Sequence, residues 1–132
     1  MAHVISFTTA RFDTSTEASN PINPIAGQSV LTWLRKELAK SGYQSTAPST
    51  EDWGWYIDVQ GWDATYLVGA SADADGPGTE REWVVQVHKK RSFRDKLTGR
   101  NKMAADDLLF ALIERIVTND PQIAQVTVDK DG

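Results

Sequence analysis

The segment from Trp53 to Ser71 constrains this chain more than any other, because apolar and polar side chains alternate along two successive runs. Trp53, Trp55, Ile57 and Val59 alternate with Gly54, Tyr56, Asp58 and Gln60. Trp62, Ala64, Tyr66, Val68 and Ala70 then alternate with Asp63, Thr65, Leu67, Gly69 and Ser71. Period-two patterning is the signature of strands with one buried face. A two-residue turn at Gln60-Gly61, with glycine supplying the positive φ, joins them as a hairpin. That register sets Val59 against Trp62, Ile57 against Ala64, Trp55 against Tyr66 and Trp53 against Val68, every pair apolar. It also sets Asp58 opposite Asp63 on the polar face, where like charges normally destabilise a strand pair.

The remaining pattern completes an α+β chain. Residues 3–9 alternate as a first strand, and residues 13–23 read as a polar loop. A first helix is expected from Asn23 as cap and Pro24 in the first turn, with Val30, Leu31, Leu34 and Leu38 as its apolar stripe and Gly42 as its stop. A short strand is expected at Tyr43–Thr46, and another at 81–90 with Trp83, Val85 and Val87 inward. Residues 72–79 form an acidic glycine–proline loop. A second helix over 103–118 carries Ala105, Leu109, Leu112, Ile113 and Ile116, with Asp106 and Asp107 in its first turns. Ile123, Val126 and Val128 mark a last strand. The expected architecture is a two-layer sandwich over residues 1–132, one domain in the order β-α-β-β-β-α-β, with a mostly antiparallel sheet and two helices on one face.

The chain has 132 residues and no cysteine, which excludes disulfides, thiolate metal sites and cysteine nucleophiles. The beginning, Met1 to Phe7, lacks a basic segment followed by an apolar run, and no stretch approaches the ~18 apolar residues of a bilayer span. Both features lead to an expected cytoplasmic location. Charge is segregated: seven of the 14 bases lie in residues 88–102 against the one acid Asp95, leaving that window at +6 and the rest at −10. Such a local field is hidden by the net charge of −4.

No motif of an established catalytic type is present, and none implies a cofactor. Gly69-Ala70-Ser71-Ala72-Asp73 approaches a nucleophile elbow but lacks its final glycine and its strand-to-helix context. Asp73-Ala74-Asp75-Gly76 echoes the start of a calcium loop without the later glutamate, since Glu80 comes too early. A solvated turn accounts for it. If the next strand brings His88 opposite Asp63, then Asp58, Asp63 and His88 form a polar row on the sheet face that could hold a divalent cation or serve acid–base chemistry. Screening by water and nearby lysines is the plainer reading.

The basic segment offers a different chemistry. Lys89, Lys90, Arg91, Arg94, Lys96, Arg100 and Lys102 surround Phe93 and run toward the N-terminal end of the second helix, an arrangement suited to anions. An acidic protein or a nucleic acid would each satisfy it, as would mere solvation of a connecting segment. The negative remainder of the chain disfavours a polyanion. Reversing Lys89, Lys90 and Arg91 to glutamate is expected to leave the fold intact. Trp33 falls off the first helix's apolar stripe and is expected to be a partly exposed anchor.

The run Glu51-Asp52-Trp53-Gly54-Trp55-Tyr56, followed by an alternating strand, resembles a pattern in small uncharacterised bacterial proteins, some of them similar to immunity proteins for secreted toxins. The resemblance implies a cytosolic protein that binds another protein, and carries no catalytic residue with it. The expected function is a non-enzymatic protein-binding domain. The alternatives are an anion or nucleic-acid binder using 89–102, and an enzyme built on Asp58, Asp63 and His88.

Overall fold

A computed structural model of the chain describes residues 2–23, 25–62, 64–73 and 80–130. The described residues form a mixed α+β fold with eight strands in one antiparallel sheet and three helices. In chain order these are β1 (Ala2–Thr9), β2 (Ile25–Ala26), α1 (Gln28–Ala39), β3 (Gln44–Ser45), β4 (Ser49–Glu51), β5 (Gly54–Gly61), β6 (Ala64–Asp73), β7 (Arg81–Lys89), α2 (Phe93–Thr98), α3 (Leu108–Asn119) and β8 (Ala124–Asp129). The sheet runs β3-β5-β6-β7-β1-β8, with β4 also on β5 and β2 on the far end of β6.

The alternation anticipated from sequence decides which side chains are inside. Trp55, Ile57 and Val59 on β5 are buried, as are Tyr66, Val68 and Ala70 on β6, Trp83, Val85 and Val87 on β7, and Ile5 and Phe7 on β1. The stripes of α1 (Val30, Leu31, Leu34, Leu38) and α3 (Leu109, Phe110, Ile113, Val117) join the same apolar cluster. No described helix is long and apolar enough to cross a membrane.

The hairpin register differs from the expected one. Gly61 pairs with Ala64, Val59 with Tyr66, Ile57 with Val68 and Trp55 with Ala70. The tip therefore lies beyond Gly61, with Trp62 at φ 55 and 72% exposed rather than inward against Val59. Because the register moved by an even number of residues, each strand kept its buried face, which is why the apolar pattern could not separate the two registers. Tyr43 packs against the end of β5. Its ring occupies the space at Gly61, where an added Cβ would lie 2.6 Å from Cδ1.

Trp53 is also not inward. It sits in the tight turn joining β4 to β5, and its ring lies over Gly69 on the face opposite Val68, where an added Cβ would come within 2.4 Å. Gly54 beside it has φ 150, and a Cβ there would meet the Ala70 carbonyl oxygen at 2.5 Å. The Trp55 indole points inward and donates to the Ile25 carbonyl at 3.1 Å.

Helix α1 begins four residues later than expected from Pro24, which lies outside the described residues. Ile25 and Ala26 pair with β6 instead. The cap comes from Glu17, whose carboxylate accepts from the backbone N–H of Gly27, Gln28 and Ser29 and from the Ser29 hydroxyl. Those amides have no partner within the helix, and a carboxylate suits the positive end of the dipole. Asn23 instead donates to the Asp52 carbonyl. Gly42, at φ 89, ends the helix as expected. The second expected helix starts at Leu108, not 103, because the Asp107 side chain caps it by accepting from Phe110 N.

Candidate functional site

The basic window folds into something the sequence reading lacked: a separate short helix, α2, with its own caps. Ser92 and Asp95 form a reciprocal capping box, and Gly99 at φ 73 ends the helix in the left-handed region. The Arg91 guanidinium closes the loop from behind, donating to the carbonyls of Arg100 (3.0 Å) and Asp95 (3.1 Å). The Asp95 carboxylate accepts from Ser92 N and from the Asn101 side chain. The Asn101 hydrogen bond, with the Ser92 bonds and the Arg91 charge, holds its pKa below the usual carboxylate value. A six-residue helix is far below the ~12 residues at which an isolated helix becomes marginal, and α2 buries no residue to make up the difference. Caps and Arg91 hold it.

The seven cations divide into two groups. Lys89 turns inward, 3.8 Å from Asp107 and over the ring of Tyr66. Lys90 pairs with Asp58 at 2.5 Å, and its backbone N–H donates to Thr65 of β6. Arg91 is committed to the loop. Arg94, Lys96, Arg100 and Lys102 remain exposed, and no salt bridge engages them among the described residues. Reversal of Lys89, Lys90 and Arg91 would therefore break contacts made by all three residues, which are not the free cations of an exposed connection.

The same segment carries two large apolar side chains. Phe93 is 77% exposed and Leu97 71%, four residues apart and hence one above the other on the same helical face. Because Lys90 is bonded to Thr65, α2 leaves the sheet at the end where the β5–β6 hairpin presents exposed Trp62. Leu97 and Trp62 were missed from sequence. The signals were Ser92-x-x-Asp95 with Gly99, which define the short helix and so the Phe93–Leu97 pair.

The expected anion site at the start of the long helix does not form, since the Asp107 carboxylate already occupies it. The expected polar row is not assembled either. Asp58 faces Leu67, not Asp63, and His88 faces Leu67 from the other side. Asp63 lies outside the described residues. Asp58 is taken by Lys90, while burial lowers the pKa of His88, whose Nε2 lies 3.3 Å from the Gln86 side-chain oxygen. Residues 69–73 run on as strand β6, with no strand-to-helix turn at Ser71. The calcium-like loop falls mostly in 74–79, outside the described residues.

Trp33 is partly exposed, as expected, with one side of its ring covered. It packs on Phe12, with ring centroids 5.2 Å apart, and the Arg11 guanidinium lies 4.8 Å from its ring centre. The segment Glu51 to Tyr56 is likewise structural, as β4, its turn and the start of β5.

Compared with protein-family models, curated proteins and solved structures, the chain matches none.

Proposed function

We propose that this chain is a non-enzymatic, cytosolic binding domain whose partner is a protein with an acidic surface around an apolar depression, docked on α2 and the adjoining hairpin tip. The observation that carries this reading is the Phe93–Leu97 pair. Large apolar side chains on a helix that buries nothing, ringed by Arg94, Lys96, Arg100 and Lys102, have the composition of a small interface: apolar anchors inside, steering charges around them. Arg91 and the capping box hold α2 in place before any partner arrives, which lowers the ordering cost of binding. We further propose that α1 and α3 cover one face of the sheet as a two-layer sandwich. The shared core of their stripes with the inward strand residues supports this. The likeness of the Glu51–Tyr56 run to toxin-immunity proteins suggests one partner of this kind, an acidic toxin.

The experiment compares three proteins as bait at two salt concentrations, against a cell lysate and against mixed RNA and DNA. They are wild type, Phe93→Ser/Leu97→Ser, and a variant with Arg94, Lys96, Arg100 and Lys102 each changed to glutamate. One discrete acidic protein is expected on wild type, lost from the apolar double variant and slower to associate with the charge-reversed one. Capture of nucleic acid by wild type, vanishing steeply with salt, would replace a protein partner by a polyanion.

A further inference from the structure

The two edges of the sheet are treated differently. The outer edge of β5 is covered by β4 along Gly54–Tyr56 and by β3 along Val59–Gln60, in pieces of three and two residues. The other edge is β8, six residues long, paired with β1 on one side and with no described strand on the other. An uncovered edge presents a row of unpaired backbone N–H and C=O groups, which proteins normally blunt with charged side chains, proline, bulges or very short strands. Ala124–Asp129 contains neither lysine nor proline. Its one irregularity is a bulge near Gln125, at φ 55.

From this edge we infer that the chain self-associates through β8, two copies pairing antiparallel about a two-fold axis through Thr127 to continue the sheet. The strand is its own complement in that register. Val128 pairs with buried Ile5 and so shares the core face, and Val126 packs against the core as well. With Thr127 on the axis, Val126 of one copy faces Val128 of the other, twice, and the apolar face runs on across the junction. Asp129 then faces Gln125, so no like charges meet. A one-residue slip would set core-face valines against open-face threonine. A two-residue shift one way moves the bulge from the ends of the seam to beside its centre, and the other way places Lys130 opposite Val126. The partner is thus a second copy, joined by an isologous contact. This inference does not depend on the function proposed for α2.

The absence of cysteine gives the test a clean background. Residues facing each other across antiparallel strands have Cα atoms about 4.5–5.5 Å apart, within disulfide reach. Thr127→Cys therefore crosslinks to its own counterpart under mild oxidation. Gln125→Cys and Asp129→Cys each lie four residues from their own counterpart, about 13 Å at ~3.3 Å per residue, and do not. The expected result is at least about tenfold more covalent dimer for Thr127→Cys than for either control, the separation exceeding the ~7 Å limit of a disulfide. Sedimentation of the unmodified chain should show mass rising with protein concentration, as a small and weak interface gives. Val128→Lys, once circular dichroism has verified its fold, should abolish the rise. A wild-type mass that stays monomeric throughout, or equal crosslinking of all three cysteine variants, overturns the inference.

Discussion

The hydroxyl of Tyr66 donates to the Asp107 carboxylate at 2.8 Å, and this bond ties the middle of the sheet to the N-cap of α3. Asp107 is 6% exposed and Tyr66 4%. The same carboxylate caps Phe110 N and faces Lys89, so one acid satisfies a helix terminus, a buried hydroxyl and a half-buried cation. Loss of the cap costs about 0.5–2 kcal/mol. A stranded buried hydroxyl adds about 1–3 kcal/mol. Asp107→Ala should lower unfolding free energy by ~2–4 kcal/mol in urea titrations, and a cost under ~0.5 kcal/mol would show that water replaces the carboxylate at no loss.

The same pair sets an alkaline limit. Burial first, then the hydrogen bond to Asp107 and that residue's charge, push the Tyr66 pKa well above its ordinary 10.0. Burial also raises Tyr43. A raised native pKa means that the contribution to stability is complete below pH 10 and declines above it, as the unfolded tyrosine ionises while the folded one keeps its proton. Stability measured from about pH 9 to 11.5 should fall, and Tyr66→Phe should flatten that fall. An unchanged slope in the phenylalanine variant would assign the alkaline loss elsewhere.

Trp53 and Gly69 should behave as one unit. Gly69→Ala places a methyl group against the indole, 2.4 Å from Cη2, so the ring must move. Overpacking of this kind costs about 1–3 kcal/mol. In a Trp53→Ala background the added methyl group meets no ring, and the cost of Gly69→Ala should fall to within ~0.5 kcal/mol of zero. A double-mutant cycle by urea unfolding reads the coupling directly, and simple additivity would mean that the indole is free to swing away.

Strand faces were legible because alternation is a local property that survives changes of partner. Trp55, Ile57, Val59, Tyr66 and Val68 are inward in either register. Register itself was not legible. It depends on which residues make the hairpin tip, and no period in the sequence encodes a positive-φ tryptophan at position 62. Asp58 and His88 were both placed on the off-core face correctly, but their assembly with Asp63 rested on the register and fell with it. The start of α1 was misread because its cap, Glu17, comes from ten residues upstream of Gly27. The basic segment was found by composition alone. Its division into structural and free cations depends on what Arg91, Lys90 and Lys89 reach in three dimensions.

Arg91 should control the order of α2 without controlling the fold. The guanidinium reaches from before the helix to the Asp95 carbonyl inside it and the Arg100 carbonyl past its end, and no α2 side chain is buried. Arg91→Ala should therefore raise the rate of tryptic cleavage after Arg94 and Lys96 by about tenfold, since opening this segment then disrupts few contacts. The global urea midpoint should stay within the shift expected for ~1 kcal/mol. Equal cleavage of wild type and variant would show that the capping box alone holds the helix.

Arg11 joins two long-range contacts. Its guanidinium lies over Trp33 on α1 and forms a salt bridge to Asp120 at the end of α3, a carboxylate only 7% exposed. Planar stacking and a fixed fork of donors are properties of arginine that lysine lacks. Arg11→Ala uncovers the indole and leaves Asp120 with only the Gln122 N–H donating to its side chain among the described hydrogen bonds. Breaking a fully buried pair costs ~3–5 kcal/mol, and the partial exposure of Arg11 lowers the expected figure to ~1–3 kcal/mol. Arg11→Lys retains the charge but not the stack, and should recover less than about half of that loss. Urea unfolding measures both variants. The difference in tryptophan emission between each protein and its Trp33→Phe counterpart, which removes the signal of the other four tryptophans, supplies the independent reading, because loss of the covering guanidinium admits water and shifts the Trp33 component to the red. Full recovery by lysine would reduce the contact to simple charge pairing. A loss of stability without any emission change would place the whole effect at Asp120 and leave Trp33 no part in joining the two helices.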